Sequence, residues 1–140
     1  MDEMELCIAN RRDEMPAVAA MVERFGLTHL VPSLIVNELN VALDEVLNNV
    51  ISYGFEPGAR SEVLVRLSLD GGEIVVEIED AGGPFDPLAA PPPDTSGSRR
   101  ERRVGGLGIH FVKQLMDDVT YVRIAGRNRL RLIKRLGAVL

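Results

Sequence analysis

Residues 62–87 read EVLVRLSLDGGEIVVEIEDAGGPFDP, and the alternation in this stretch decides what fold can hold the rest of the chain. Within residues 62–69, Val63, Val65, Leu67 and Leu69 alternate with Glu62, Leu64, Arg66 and Ser68. Within residues 73–79, Ile74, Val76 and Ile78 alternate with Glu73, Val75, Glu77 and Glu79. A period of two predicts two strands, each with one buried face. Asp70-Gly71-Gly72 between them predicts a tight turn, so the pair forms a hairpin that delivers Asp80 to the end of its second strand. There the carboxylate meets Gly82 and Gly83, where the backbone can approach a flat ligand closely.

Upstream of the hairpin the period changes to that of helices. Residues 13–25 place Met15, Val18, Ala19, Met21, Val22 and Phe25 at helical spacing, with Asp13 as expected N-cap and Gly26 as expected stop. Residues 33–53 carry Ile35, Leu39, Ala42, Val46, Val50 and Tyr53 on one stripe, with Ser33 as expected cap. Residues 5–9 predict a short edge strand that holds Cys7, read as a small buried apolar side chain. Downstream, residues 87–104 are rich in Ala, Pro, Ser, Gly and Arg, which predicts a loop longer than compact domains usually tolerate and hence a lid or an insert. A helix over residues 108–116 follows, with Ile109, Val112, Leu115 and Met116 inward. Strands over residues 120–125 and 130–136, joined by Gly126, Arg127 and Asn128, close the chain.

Composition bounds the function classes. A chain of 140 residues with 46% apolar content supports one domain with a core. The net charge of -5 argues against non-specific nucleic-acid binding, which draws on a basic surface. One cysteine makes no internal disulfide, the Met1-Asp2-Glu3 start lacks the features of a secretory signal, and no apolar run approaches membrane-spanning length. The expectation is a soluble, cytoplasmic protein. His29 and His110 stand in no pattern with other ligands, so no zinc site is expected.

Two glycine clusters and a helix face carry the chemistry. Gly105-Gly106-Leu107-Gly108 stands where a helix opens, and helix openings offer unpaired N–H donors and a positive dipole end to phosphate oxygens. Asp80 is an acceptor that suits the exocyclic amino group of adenine, although Asp-Gly pairs are also ordinary turn punctuation. Glu45 and Asn49, one turn apart on the long helix, supply hard oxygens for a magnesium ion and an acceptor for a hydroxyl proton. Read alone, the same pair is a solvated helix face. Asn48 lies about 100° round the helix, so spacing selects Asn49. No Gly-Lys-Ser/Thr follows the glycines and no strand feeds directly into the second cluster, which excludes a Walker A loop and a dinucleotide fingerprint.

With Glu45 and Asn49, then Asp80-Ala81-Gly82-Gly83-Pro84-Phe85, then Gly105-Gly106-Leu107-Gly108, in that order, the chain resembles the GHKL ATPase superfamily of gyrases, chaperones and histidine kinases. The three segments correspond to its N, G1 and G2 boxes, and the match covers nearly the whole chain. The helix text from Leu43 to Phe55 and the ending Asn128-Arg129-Leu130 resemble the anti-sigma factor serine/threonine kinases within it. The resemblance implies an α/β (α+β) two-layer sandwich, a mixed and mostly antiparallel sheet with helices on one face, in a single domain over residues 1–140. It implies ATP and Mg2+ as cofactors, with Glu45 as base or water-orienting residue and Asn49 on the magnesium. It assigns Asn49, Asp80, Gly82, Gly83, Phe85, Gly105, Gly106, Leu107 and Gly108 to the nucleotide and residues 87–104 to an ATP lid. Arg102 and Arg103 in that lid either reach phosphate or keep the loop soluble.

The implied activity is phosphorylation of a serine or threonine on an anti-anti-sigma antagonist, with a sigma factor as competing partner and a homodimer as the assembly. Many relatives carry a histidine shortly after the N-box asparagine, where this chain has Tyr53. A nucleotide-gated binding module without kinase activity is therefore the alternative. A detached histidine-kinase catalytic domain is a third reading, disfavoured because no phosphoacceptor helix stands ahead of the domain and His29 sits in a turn-like setting.

Overall fold

The computed structural model describes residues 3–56, 58–84, 86 and 107–137. In chain order these form β1 (Glu3–Ala9), a 3-10 turn (Arg12–Glu14), α1 (Met15–His29), α2 (Ser33–Tyr53), β2 (Glu62–Asp70), β3 (Glu73–Asp80), α3 (Leu107–Leu115), β4 (Asp118–Ile124) and β5 (Arg127–Arg135). The expected loop over residues 87–104 lies outside the described residues. No helix among the described residues is long and apolar enough to cross a membrane.

The strands form one sheet in the order β1-β2-β3-β5-β4, and all four pairings are antiparallel. The α+β sandwich expected from the sequence is therefore present, but no neighbouring pair is parallel. The reason lies in the β3-α3-β4 crossover. It sets β4 in the same direction as β3 but leaves room between them, and β5 folds back into that gap and pairs antiparallel with both. The β2–β3 hairpin closes as read, with Asp70 opposite Glu73 and with Gly71 and Gly72 at φ 56° and 83°, the two left-handed positions that such a turn requires.

Alternation then sorts the side chains. Val63, Val65 and Leu67 of β2, Ile74, Val76 and Ile78 of β3, and Leu130 and Leu132 of β5 are buried on the helix-facing side. Met21, Val22 and Phe25 of α1 and Leu39, Leu43, Val46 and Leu47 of α2 close over them. Each full-sized apolar side chain removed from water contributes about 1.5–3 kcal/mol, which makes this layer the main source of stability.

Several local expectations are corrected. Gly26 does not stop α1, which runs on to His29 and ends at Leu30 in a left-handed conformation, φ 55°. A Cβ on Gly26 would stand 2.6 Å from Val36 Cγ2, so this glycine lets α1 and α2 approach. Asp13 falls in the 3-10 turn and pairs with Arg11 at 3.2 Å. Ser33 is the first helical residue of α2 rather than its cap, a position held by Pro32, whose carbonyl accepts from the Ile35 and Val36 amides. Cys7 is exposed, because burial of Ile8 turns its neighbour to the outer face. There, partial desolvation and the nearby Glu62 carboxylate raise its thiol pKa and make it a poor nucleophile. β4 and β5 are joined by Ala125 and Gly126, at φ 53° and 76°, and not by Gly126-Arg127-Asn128; Arg127 and Asn128 belong to β5.

Candidate functional site

The site begins where β3 ends. Asp80 is the last residue of β3 and lies between Val63 of β2 and Asn128 of β5, so the register puts its carboxylate on the helix-facing side of a central strand. Only 3% of it is exposed. Oδ1 accepts the Gly82 amide at 2.9 Å and the Asn128 Nδ2 at 2.9 Å. Oδ2 has no hydrogen-bond partner among the described residues. A buried carboxylate oxygen left in this state costs free energy unless a donor from beyond the described residues meets it.

The loop after Asp80 is held against the end of α2. The Gly83 amide donates to the Gly54 carbonyl at 3.2 Å. A Cβ on Gly82 would collide with that carbonyl and stand 3.0 Å from Asp80 Oδ1 and 3.1 Å from Phe55 Cε1. Gly82 is therefore required as glycine by the protein's own contacts, whether or not a ligand ring lies beside it. These contacts join the first motif to the helix that carries the other two predicted residues.

On α2, Asn49 is buried at 8% exposure and Glu45, one turn earlier, is half-buried. Neither side chain makes a hydrogen bond or ion pair among the described residues. Asn48 is different: its amide nitrogen donates to the Asp44 carbonyl at 2.9 Å and its oxygen accepts from Arg12 Nε at 3.0 Å. The structure thus separates the two asparagines into one tied to the 3-10 turn and one buried without a partner among the described residues. A buried, unpartnered carboxamide oxygen fits a hard cation shared with phosphate oxygens, since magnesium takes few protein ligands and completes its shell from substrate and water. No group of three or more His, Cys, Asp or Glu side chains suited to a metal exists among the described residues.

Of the other predicted residues, Leu107 opens α3, which packs against α2, and Gly108 follows it in the helix. Phe85, Gly105, Gly106, Arg102 and Arg103 lie outside the described residues. Tyr53 is 43% exposed at the end of α2. His29 stacks near the Phe25 ring, with centroids 4.5 Å apart, at the last position of α1, and His110 is exposed on α3. Two cavities of about 510 and 600 Å3 lie elsewhere. The first is lined by Cys7, Leu64, Ala81 and Arg127 among others, the second by Asn10, Ile51, Ser52 and Phe55 among others. Neither includes Glu45, Asn49 or Asp80.

Sequence reasoning missed the residues that brace Asp80. Asn128 is buried at 4% exposure, and its Oδ1 accepts from the Tyr121 hydroxyl and, at 2.9 Å, from Arg123 Nη1. Arg123 Nη1 also donates to the Gly82 carbonyl at 3.0 Å, and Asn128 Nδ2 to the Gly83 carbonyl at 2.9 Å. The available signal was the period of two through Val119, Tyr121 and Arg123, which places all three on the helix-facing side of β4 opposite Leu132, Leu130 and Asn128.

A family model described as "Histidine kinase-like ATPase domain" matches residues 8–134. The chain is 32% identical over 94 residues to the serine/threonine-protein kinase BtrW of Bordetella bronchiseptica, covering 67% of this chain and 66% of that protein. It is 27% identical over 88 residues to the serine-protein kinase RsbW of Listeria monocytogenes, covering 60% and 56%. The matched segments thus span somewhat more than half to about two thirds of these relatives' lengths. The crystal structure of the RsbU and RsbW domains of Rv1364c from Mycobacterium tuberculosis superposes with a TM-score of 0.68, at 13% identity, over 95% of this chain and 32% of that one, which is a likeness of fold. With the family match spanning both the Asp80 loop and the α2 residues, the chain belongs to the histidine kinase-like ATPase domain family.

Proposed function

We propose that this protein is an ATP-dependent serine/threonine protein kinase that also acts as an anti-sigma factor. The observation that carries the reading is a pair of buried polar groups without partners among the described residues, the Asp80 Oδ2 and the Asn49 carboxamide, on two elements that the Gly54–Gly83 contact ties together. One suits the amino group of adenine, the other a cation on the phosphates. The similarity to BtrW and RsbW, both named as kinases, supports the same direction.

Asp80 would accept from the adenine amino group through Oδ2, while Gly82 and Gly83 keep the loop close enough for the base to lie flat. Magnesium, when bound, would neutralise phosphate charge and align the terminal group. Asn49 would hold it, and the opening of α3 with Gly105, Gly106, Leu107 and Gly108 would offer N–H donors to the phosphates. By resemblance, Phe85 and the ATP lid over residues 87–104, both outside the described residues, would belong to the same nucleotide site. A serine or threonine Oγ of the partner would attack the γ-phosphorus. The new O–P bond forms as the bond to the β,γ-bridging oxygen breaks, ADP leaves, and Glu45 accepts the hydroxyl proton. In-line positioning and charge neutralisation supply most of the acceleration. The partners would be an anti-anti-sigma antagonist as substrate and a sigma factor as the sequestered protein, with the kinase acting in the cytoplasm.

The test is transfer of labelled phosphate from ATP to a candidate antagonist. Transfer is expected from the wild type and expected to vanish in Glu45→Ala and Asn49→Ala. Wild-type transfer in both variants would remove this mechanism, and nucleotide-dependent capture of a sigma factor without any phosphorylated product would favour a binding module instead.

A further inference from the structure

We infer that Asn128 is a positioning residue for base recognition and that it fixes which oxygen of Asp80 faces the nucleotide; this rests on the proposed ATP site. The orientation of its amide is dictated by neighbours of fixed polarity. Arg123 can only donate and a carboxylate only accept, so Oδ1 must face Arg123 and Nδ2 must face Asp80. The Tyr121 hydroxyl supplies a second donor to Oδ1, and the Gly83 carbonyl a second acceptor to Nδ2. Both amide hydrogens and both oxygen lone pairs therefore have partners, and the side chain, 4% exposed, has one orientation.

That orientation has a chemical consequence at Asp80. The carboxylate receives Asn128 and the Gly82 amide on the same oxygen, Oδ1, and the two bonds hold the carboxylate plane against rotation. Oδ2 is left as a fixed acceptor in a buried setting. Such an acceptor meets a purine amino group and repels a carbonyl oxygen at the same place, because two acceptors cannot share a hydrogen bond. Arg123 extends the brace to the Gly82 carbonyl, so one network from β4 and β5 sets both the carboxylate and the glycine loop beneath the base. Asn128 acts through Asp80 and need not touch the nucleotide.

The experiment measures binding of ATP and of purine riboside triphosphate, which lacks the amino group, by calorimetry with magnesium. Wild type is expected to prefer ATP. Asn128→Leu is expected to lose about tenfold in ATP affinity, the scale of one net hydrogen bond, while its affinity for the analogue stays the same. Tyr121→Phe removes one donor and leaves Asn128 in place; a smaller loss of the same preference, about threefold, is expected on the same scale. Thermal melts confirm folding of each variant, and Tyr121→Phe carries the test alone if Asn128→Leu does not fold. A wild type that binds neither nucleotide overturns the ATP site and the inference together. A wild type that prefers ATP, with that preference unchanged in the folded variants, overturns the inference alone.

Discussion

Glu77 and Asp80 lie three residues apart on β3 and face opposite sides of the sheet, each an acid beside β5 with an arginine in its network. On the outer face, Glu77 Oε1 accepts from Arg66 at 3.2 Å and Oε2 from Arg131 at 3.0 Å. Arg66 continues the row to Glu5 at 3.2 Å. Glu79 is likewise taken by Arg129 at 2.7 Å, with Arg127 at 3.6 Å. On the inner face, Asp80 has both its partners on one oxygen and none among the described residues on the other. The two acids therefore differ in what surrounds them. Every Glu77 oxygen has a partner, whereas one buried Asp80 oxygen has none among the described residues and is open to a donor from elsewhere.

The comparison breaks most visibly at Asp80. Asp80→Ala is expected to weaken ATP binding roughly 10- to 100-fold, since hydrogen bonds to charged groups are the stronger kind, while a thermal melt without nucleotide shows a folded protein. ATP affinity equal to wild type would place Asp80 with Glu77 as a structural acid. Gly82→Ala is expected next, at about 1–3 kcal/mol of lost stability from overpacking against Gly54 and Phe55, read by denaturant titration, with weakened nucleotide binding besides.

Glu77→Gln sharpens the contrast from the other face. Burial works to raise the Glu77 carboxyl, and the hydrogen bonds of Arg131 and Arg66 with the charges of Arg131 and Arg129 outweigh it, so the pKa lies below its ordinary value of 4.5. A lowered native value means that the charged form stabilises the fold above the unfolded pKa, and that this contribution is lost as pH falls through the native value. The variant is therefore expected to be less stable than wild type by about 1 kcal/mol at neutral pH, a modest value because the arginines are partly solvated. The difference should shrink as pH drops below 4.5, while ATP affinity stays unchanged at neutral pH. Arg127→Ala, at the exposed end of the outer row, should shift stability by less than about 0.5 kcal/mol, and a larger shift in denaturant titration would mean that this row is more than a surface network.

How much of this was legible in the sequence follows the same division. The β2–β3 hairpin, the α2 stripe and the inward course of Ile109 and Val112 were readable because periodicity is a local property that tertiary packing here reinforces. The placement of Glu45 and Asn49 one turn apart on α2, and of Asp80 at the end of β3, was readable from helical spacing and from the hairpin. Asn128 was not, because Gly126-Arg127-Asn128 carries stronger turn signals than Ala125, and the chain instead spends a positive φ on alanine so that Asn128 can stand opposite Asp80. Gly26 misled for a related reason: in a helix, glycine marks an end in local terms and a close approach in tertiary ones, and Val36 decides for the second. Cys7 was assigned to the core by residue type, whereas the phase of β1 is set by Ile8.

The central claim is that Asp80, unlike Glu77, is kept for a nucleotide. Calorimetric titration of ATP with magnesium into wild type, Glu77→Gln and Asp80→Ala tests it most directly. Saturable one-site binding of equal strength is expected in the first two and its loss in the third; no saturable binding to wild type, or the same binding in all three, would refute that role for Asp80.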